Sequence, residues 1–315
     1  MKRLDKIAAW VTLGVASVSL TVIPVKAADK DDPQTGSQVR SEQHKGLGQL
    51  ERANKLVGKE VISSDNQKLG KIDNIVVDLQ SGRILYAVVG SGGVLGAGEK
   101  KRALAPGVFQ EATGDVLHIN MDKSKFETAP MFTKEIDKDT ELGKATFVNQ
   151  VYQHCGQSAW WQGPSSSAST GEFNNTHKVS DVIGMKIKSV GNEDVGKVDN
   201  LMLNLPQGRV AFVILDPDRS LGVGNEPFAL PPDAFTLSAD RKTLTSSIDK
   251  NKLASAPKFG KDWEKLSDPT FAGQVYQYYG KQAYFQPGGS GLEPTGREKE
   301  QNKENQTDKP TSPNP

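Results

Sequence analysis

The sequence predicts a mainly β protein made of two small antiparallel barrels, each followed by a short helix, with disordered ends. Three observations support this prediction: an internal repeat, short β-branched runs separated by turn residues, and apolar positions spaced three and four apart at the end of each copy. A chain of 315 residues is also long for a single domain, since domains typically have about 100 to 200 residues. Two domains are therefore expected.

Residues 1–27 have the order of a secretory signal peptide. Positive charge at Lys2 and Arg3 is followed by an apolar run over 7–22 and by a small-residue ending at Ala27. The run is shorter than the roughly 20 apolar residues that cross a bilayer. We therefore expect cleavage after Ala27 and a periplasmic or extracellular protein. The membrane is a partner only in the alternative case, in which this segment is kept as an uncleaved anchor.

The middle of the chain is a repeat of one β-rich module. The offset that relates Gly58 to Gly184 also relates Gly70-Lys71 to Gly196-Lys197 and Gly82-Arg83 to Gly208-Arg209. Such self-similarity indicates a duplicated structural unit. We assign the first module to residues 50–161 and the second to 177–286, and expect each to fold independently.

Three segments outside the two modules have compositions that do not favour a packed core. Residues 162–176 are rich in Gly, Ser, Pro and Asn, which is typical of a flexible linker. Residues 28–49 are polar and charged, and residues 287–315 are nearly free of hydrophobic side chains. Segments that cannot bury enough apolar surface stay disordered, so we expect disorder at both ends of the mature chain.

Within each copy, short β-branched runs are separated by turn residues. Residues 71–79 and 83–89 flank Gln80-Ser81-Gly82, and the second copy has Pro206-Gln207-Gly208 at the same place. A three-residue connection that ends in glycine predicts a hairpin with a left-handed glycine and a bulge. Many short strands at this spacing favour a small barrel or a sandwich.

The end of each copy has a helical apolar period instead. In the first copy Phe147, Val151 and Cys155 recur at four-residue steps, and Phe271 and Val275 do the same in the second. We expect these helices to pack on their own barrels, although the aromatic face could alternatively meet a partner. Cys155 has no second cysteine for an intramolecular disulfide. A buried side chain is favoured over an exposed thiol that dimerises.

At several short motifs the sequence resembles the PRC-barrel family, which is named for the H subunit of the photosynthetic reaction centre. The motifs are Leu56-Val57-Gly58-Lys59-Glu60-Val61, Leu69-Gly70-Lys71-Ile72, Gly82-Arg83 and the glycine-rich stretch 92–98. The resemblance covers residues 56–132 and 182–259. It implies a compact antiparallel β-barrel that serves as an assembly or adaptor module without catalytic residues of its own. Fold resemblance alone does not assign a function.

Several kinds of chemistry are disfavoured by the residue patterns. The glycine-rich stretch 90–98 is followed by Glu99, whereas a phosphate-binding P-loop needs Lys-Ser/Thr after its last glycine. No histidine has a second ligand type at the spacing of a zinc site; the four are His44, His118, His154 and His177. With a net charge of +1, the chain lacks the basic surplus typical of nucleic-acid binding. We predict no catalytic residue, metal or cofactor.

Four polar positions are the same in both copies. They are Lys71 and Lys197, Asp73 and Asp199, Asn74 and Asn200, and Arg83 and Arg209. Asp and Asn side chains often bond to nearby backbone, so a structural role is favoured for them. Arg83 and Arg209 follow a turn, and a partner contact and a structural role are equally compatible with that position. They are the candidate partner-binding residues.

The function that these observations favour is an exported, non-catalytic binding or adaptor protein that holds a protein or cell-envelope partner. Two alternatives stay open: an enzyme with an unrecognised site, and a purely structural, stress-related envelope protein. A pocket of converging titratable groups would favour the enzyme, whereas a broad apolar surface would favour binding.

If the signal peptide is cleaved as expected, the mature chain begins at Ala28. Intact-mass measurement of the exported protein checks this prediction. A full-length chain that still carries Met1 in the membrane fraction would show an uncleaved anchor instead.

Overall fold

The computed structural model describes residues 47–92, 98, 100–162, 173 and 175–285. All of them fall within one compact unit of the chain. The predicted signal peptide, residues 93–97 of the glycine-rich stretch and the predicted tail 287–315 lie outside the described residues, as do most positions of the predicted linker.

The two copies contain nearly the same succession of elements. The strands of the first copy are β1 (Glu51–Arg52), β2 (Glu60–Ile62), β3 (Lys68–Asp78), β4 (Arg83–Ser91), β5 (Lys100–Leu104) and β6 (Val116–His118). Its helices are α1 (Ala53–Leu56), α2 (Lys123–Glu127) and α3 (Ala145–Cys155). The strands of the second copy are β7 (Thr176–Lys178), β8 (Lys186–Ser189), β9 (Asp194–Asn204), β10 (Arg209–Pro217), β11 (Phe228–Leu230), β12 (Phe235–Leu237) and β13 (Thr243–Ser246). Its helices are α4 (Val179–Val182), α5 (Lys250–Ala254) and α6 (Pro269–Tyr278). The strand β12 of the second copy corresponds to an isolated bridge between Phe109 and Ile119 in the first.

The predicted β-rich class is confirmed, but the strand arrangement differs from the prediction. The thirteen described strands form one mixed sheet that does not close, in the order β12-β13-β8-β9-β10-β4-β3-β2-β6 with side branches at β1, β5, β7 and β11. Two separate barrels are therefore not confirmed. The sheet is also not wholly antiparallel, because β2 pairs with β6 and β8 with β13 in parallel.

The central hairpin of each copy ends in a left-handed glycine, as predicted. The backbone φ angle is 61° at Gly82 and 64° at Gly208. Asp78 pairs directly with Arg83, so the connection spans residues 79–82 and is one residue longer than predicted. The carboxylate of Asp78 accepts the backbone N–H of Gln80 and stabilises the turn.

The leading segments of the two copies are exchanged. We use the term leading segment for β1 with α1 in the first copy and for β7 with α4 in the second. β1 pairs with β9 of the second copy, and β7 pairs with β3 of the first. Each leading segment therefore completes the sheet of the other copy, and the buried side chains of both copies belong to one hydrophobic core. These contacts argue against independent folding of the modules.

The repeated asparagines bond across the junction of the copies. We call this junction, where β1 meets β9, β7 meets β3 and β4 meets β10, the seam. Asn200 Oδ1 accepts the backbone N–H of Asn54 at 3.4 Å, and Asn74 Oδ1 accepts that of Ser180 at 3.5 Å. Asn54 and Ser180 lie in the first turns of α1 and α4, where backbone N–H groups have no partner within the helix. Both asparagines thus have the structural role favoured from the sequence, although their partners lie in the other copy.

Ordered packing extends into two segments that the sequence assigns to disorder or linker. Leu47 is 1% exposed, and its carbonyl accepts a hydrogen bond from Asn204 Nδ2 at 2.9 Å. Phe173 is buried against the rings of Trp160 and Trp161. The sequence missed both because a single apolar residue in a polar segment does not reveal which surface it meets.

The tail helices pack on their own copies, as expected. The ring of Phe147 on α3 lies 5.5 Å from that of Tyr86 on β4. In the second copy Tyr276 on α6 donates a hydrogen bond to the carbonyl of Ala211 on β10 at 2.8 Å. Cys155 is buried, and its Sγ accepts the backbone N–H of Ala105 at 3.3 Å.

The histidine of β7 is buried at the seam. His177 on β7 is 2% exposed and pairs in register with Val77 of the other copy. Burial, together with the nearby charge of Arg241, lowers the pKa of His177 to about 4. The side chain is therefore neutral at physiological pH.

Substitution of either turn glycine should destabilise the whole protein. A Cβ at Gly82 would lie 3.0 Å from Pro232 Cγ, and one at Gly208 would lie 3.3 Å from Pro106 Cβ, so both would crowd the other copy. We expect Gly82→Val and Gly208→Val each to cost about 2 kcal/mol or more, part of it from the left-handed backbone. Thermal denaturation measures the loss.

Gly114 provides the matched control for this prediction. Its φ angle is 61°, and a Cβ there would meet nothing within 4 Å. Gly114→Val should therefore show the backbone cost alone. Equal losses at Gly82, Gly208 and Gly114 would contradict crowding at the seam.

The buried His177 should make the protein sensitive to acid. Below a pH of about 6.5 the unfolded chain binds a proton at His177 that the folded chain excludes, so stability falls with pH until about pH 4. The contribution of neutral His177 to the free energy of unfolding is fully present above pH 6.5. We expect the free energy of unfolding to fall by about 2 kcal/mol by pH 4. Denaturant unfolding at several pH values checks this, with His177→Gln flattening the profile. Identical profiles for His177→Gln and the unmodified protein would contradict it.

Candidate functional site

The two candidate arginines lie side by side at the seam. Arg83 begins β4, Arg209 begins β10, and these residues are direct partners in the antiparallel pairing of the two strands. Two backbone hydrogen bonds fix this meeting point: Ile84 N–H donates to the carbonyl of Gly208 at 2.9 Å, and Val210 N–H to that of Gly82 at 3.0 Å. Both arginine side chains are half-buried. Two positive charges are thus held close together.

Each arginine lies over an aromatic ring of its own tail. The Cζ atom of Arg83 is 4.7 Å from the ring centroid of Trp160, and that of Arg209 is 4.9 Å from the ring centroid of Tyr284. A guanidinium over a ring face is attracted by the electron density of the ring. Like charges placed opposite each other in a sheet repel, so these ring contacts offset part of that cost.

The two rings belong to an aromatic group that is repeated in both copies. Trp160 contacts Trp161 with ring centroids 5.4 Å apart, and Tyr284 contacts Phe285 at 5.1 Å. We name the two arginines and these four rings the arginine–aromatic cluster. Trp161 and Phe285 are buried, whereas Trp160 and Tyr284 are half-buried. One buried ring, Trp161 or Phe285, anchors each tail. It thereby places the neighbouring ring, Trp160 or Tyr284, against its arginine.

Burial keeps Tyr284 of the cluster and the nearby Tyr152 protonated. Burial raises the pKa of Tyr284, and the charges of Arg209 and Arg83 oppose that shift. In the first copy burial raises the pKa of Tyr152 to about 12, again opposed by Arg83. Both arginine charges therefore act on one local environment. The tyrosine hydroxyls can donate hydrogen bonds there but are poor nucleophiles.

The hydroxyl of Tyr284, beside Arg209, is buried and lacks a hydrogen-bond partner within the part of the chain that the structure describes. Positive charge, aromatic faces and an unused donor together suit recognition of a polar or acidic surface. Among the described residues there is no group of three His, Cys, Asp or Glu side chains that could hold a metal ion.

Two of the other repeated charges, Asp73 and Lys197, form ion pairs with residues on other strands of the same copy. Lys101 Nζ lies 2.7 Å from Asp73 Oδ1, and Lys197 Nζ lies 3.5 Å from Asp216 Oδ2. The Lys197–Asp216 pair is exposed, so it contributes little to stability, and the two pairs lie in different copies.

The histidines are dispersed over the fold. His44 lies outside the described residues. His118 is on β6, His177 is on β7, and His154 on α3 has its Nε2 3.0 Å from the carbonyl of Lys125. Sequence reasoning selected Arg83 and Arg209 but missed the rings beneath them. The signal was present, since Trp160-Trp161 and Tyr284-Phe285 occupy equivalent places after the tail helices.

None of the helices in the described ranges is long and apolar enough to cross a membrane.

Comparison with known proteins agrees with the resemblance seen in the sequence. The family model of the PRC-barrel domain matches residues 49–131 and 174–250, so it occurs twice and covers half of the chain. No curated protein sequence matches this chain significantly. The two matched segments contain β1 to β6 and β7 to β13, which are the strands of the two copies. The chain therefore belongs to the PRC-barrel domain family, with the domain present in tandem.

Proposed function

We propose that this chain is an exported, non-catalytic binding or adaptor protein whose tandem PRC-barrel domains hold a protein or cell-envelope partner. Export rests on the order of charge and hydrophobicity in residues 1–27. Each matched segment contributes one barrel-like module, with the boundaries 50–161 and 177–286. No nucleic acid and no cofactor is part of the proposal.

The arginine–aromatic cluster is the observation that carries this proposal. Arginine, tryptophan and tyrosine are the residue types most enriched among the energetically dominant contacts of protein interfaces. Here Arg83 and Arg209 are adjacent in register, each with an aromatic ring beneath its guanidinium. Rings that hold a guanidinium in place reduce the conformational entropy lost when a partner binds.

The geometry favours one composite site over two separate ones. Because β4 pairs with β10 at Arg83 and Arg209, a single partner surface would meet both copies at once. A fixed pair of positive charges matches a pair of carboxylates on an acidic surface, and such charge-assisted hydrogen bonds are about twice as strong as neutral ones. The partner surface is therefore proposed to be acidic.

The rival functions differ in what the purified protein would do. An enzyme would turn over a substrate, and a purely structural protein would bind no specific partner. Burial raises the pKa values of Tyr152, Tyr284 and Asp78 near the cluster. The tyrosines suit donation of a hydrogen bond and not attack on a substrate, and the Asp78 carboxylate already accepts hydrogen bonds from Gln80 and Ser81 of its own turn.

Removing the two guanidinium groups should weaken partner binding by tenfold or more. The variant Arg83→Gln/Arg209→Gln keeps polar side chains of similar length, and loss of a dominant interface residue typically costs about 2 kcal/mol or more. The partner is first captured from a native envelope extract with the unmodified protein and identified by mass spectrometry. The Kd of that partner is then measured for the unmodified protein and the variant.

The matched control is Lys71→Gln/Lys197→Gln. It also removes two positive charges from equivalent positions of the two copies, but at exposed side chains on β3 and β9. We expect its Kd to change by no more than about twofold, since exposed charges away from the contact contribute little. Thermal unfolding of both variants separates lost binding from lost folding. Equal Kd values for the two double variants would overturn the cluster as the binding site, and turnover of a substrate would overturn the non-catalytic function.

A further inference from the structure

A cavity of about 130 Å³ lies at the seam in the second copy. Its apolar wall is formed by the buried side chains of Leu79, Phe235 and Leu244. Exposed or half-buried polar residues, among them Gln80 and Thr236, surround its mouth. The cavity therefore has an apolar interior and a polar rim, the usual composition of a small-molecule site.

His177 lines this cavity and has an unused hydrogen-bonding atom. The side chain is 2% exposed, and its Nε2 has no hydrogen-bond partner among the residues that the structure describes. A buried polar atom without a partner costs about 1 to 3 kcal/mol. Because burial keeps the imidazole neutral, a neutral ligand can satisfy this atom without placing two charges in an apolar environment.

At the equivalent position the first copy has only a very small pocket. A pocket of about 10 Å³ lies there, lined by residues that include Leu117, Leu205 and Glu51. Glu51 stands at the position of His177, and its carboxylate forms an ion pair with Lys59 Nζ at 3.0 Å. Met185 stands at the position of Lys59, so the second copy lacks that internal partner. The two copies share a backbone, yet at these two equivalent places the open cavity beside an unsatisfied buried atom belongs to the second copy.

The volume restricts what the cavity can hold. An apolar cavity of about 150 Å³ accommodates one benzene ring, whereas each water occupies about 30 Å³ of liquid. The polar lining residues, among them Gln80 and Thr236, stand at the rim, whereas the inner wall of Leu79, Phe235 and Leu244 offers an apolar surface for a ring. One six-membered ring fits both the volume and the wall.

We propose that this cavity binds a small neutral molecule composed of one six-membered ring and one hydrogen-bonding group. The ring packs against Leu79, Phe235 and Leu244, and the hydrogen-bonding group meets Nε2 of His177. Phenol is the simplest molecule of this class. The site is separate from the arginine–aromatic cluster, so either proposal can fail without the other.

The test is a titration of the full-length mature protein with phenol, followed through the histidine ring signals in NMR spectra. We expect a saturable shift of the His177 signal and no comparable shift at His118 or His154. Benzene should bind about fivefold more weakly than phenol, since it lacks the group that bonds to Nε2. His177→Phe should weaken phenol binding about fivefold as well, to the level of benzene.

A pair of exposed substitutions at equivalent rim positions controls for effects on folding. Thr236→Trp places a large ring at the mouth of the cavity, and Gln110→Trp does the same at the very small pocket of the first copy. We expect Thr236→Trp to abolish the phenol-dependent shift and Gln110→Trp to leave it intact. Absence of a saturable shift, benzene binding as tight as phenol, or equal binding by the two tryptophan variants would each overturn the proposal.

Discussion

The exchange of leading segments between the copies is the constraint on which the rest of the structure depends. β1 pairs with β9 and β7 pairs with β3, so one strand and one short helix of each copy pack on the sheet of the other copy. Backbone N–H and C=O groups must find partners when they are buried, and this exchange supplies them from the neighbouring copy. The asparagines at 74 and 200 then cap the exchanged helices. A sheet assembled in this way has one core and brings the two hairpin ends together.

The meeting of the hairpin ends has an electrostatic consequence. It places Arg83 and Arg209 next to each other, where their charges repel, and the tail aromatics supply the compensating attraction. The tail helices therefore do more than cover the sheet. They also position Trp160 and Tyr284 against the arginines at the seam, which is the surface proposed to bind a partner.

Duplication has preserved the backbone while the side chains at the seam have diverged. In the first copy the equivalent position on the leading strand is the half-buried Glu51, which forms an ion pair with the buried Lys59 of the same copy. In the second it is His177, whose neighbouring cavity remains open. A buried charge needs a partner, whereas a neutral imidazole can remain unpaired at lower cost. The same fold thus supports a purely structural contact in one copy and a proposed ligand site in the other.

Features encoded by local patterns were determined by the sequence itself. The β-branched runs, the left-handed turn glycines at 82 and 208, the tail helices and the repeated family motifs each depend on residues close together in the chain. The choice of strand partners was decided only by the tertiary structure. Because the copies have nearly equivalent strand edges, a leading strand could pair within its own copy or with the other, and no local residue pattern distinguishes the two. The rings beneath the arginines, the burial of Phe173 and the cavity at His177 all follow from that choice, since each lies where the two copies or their connecting segments meet.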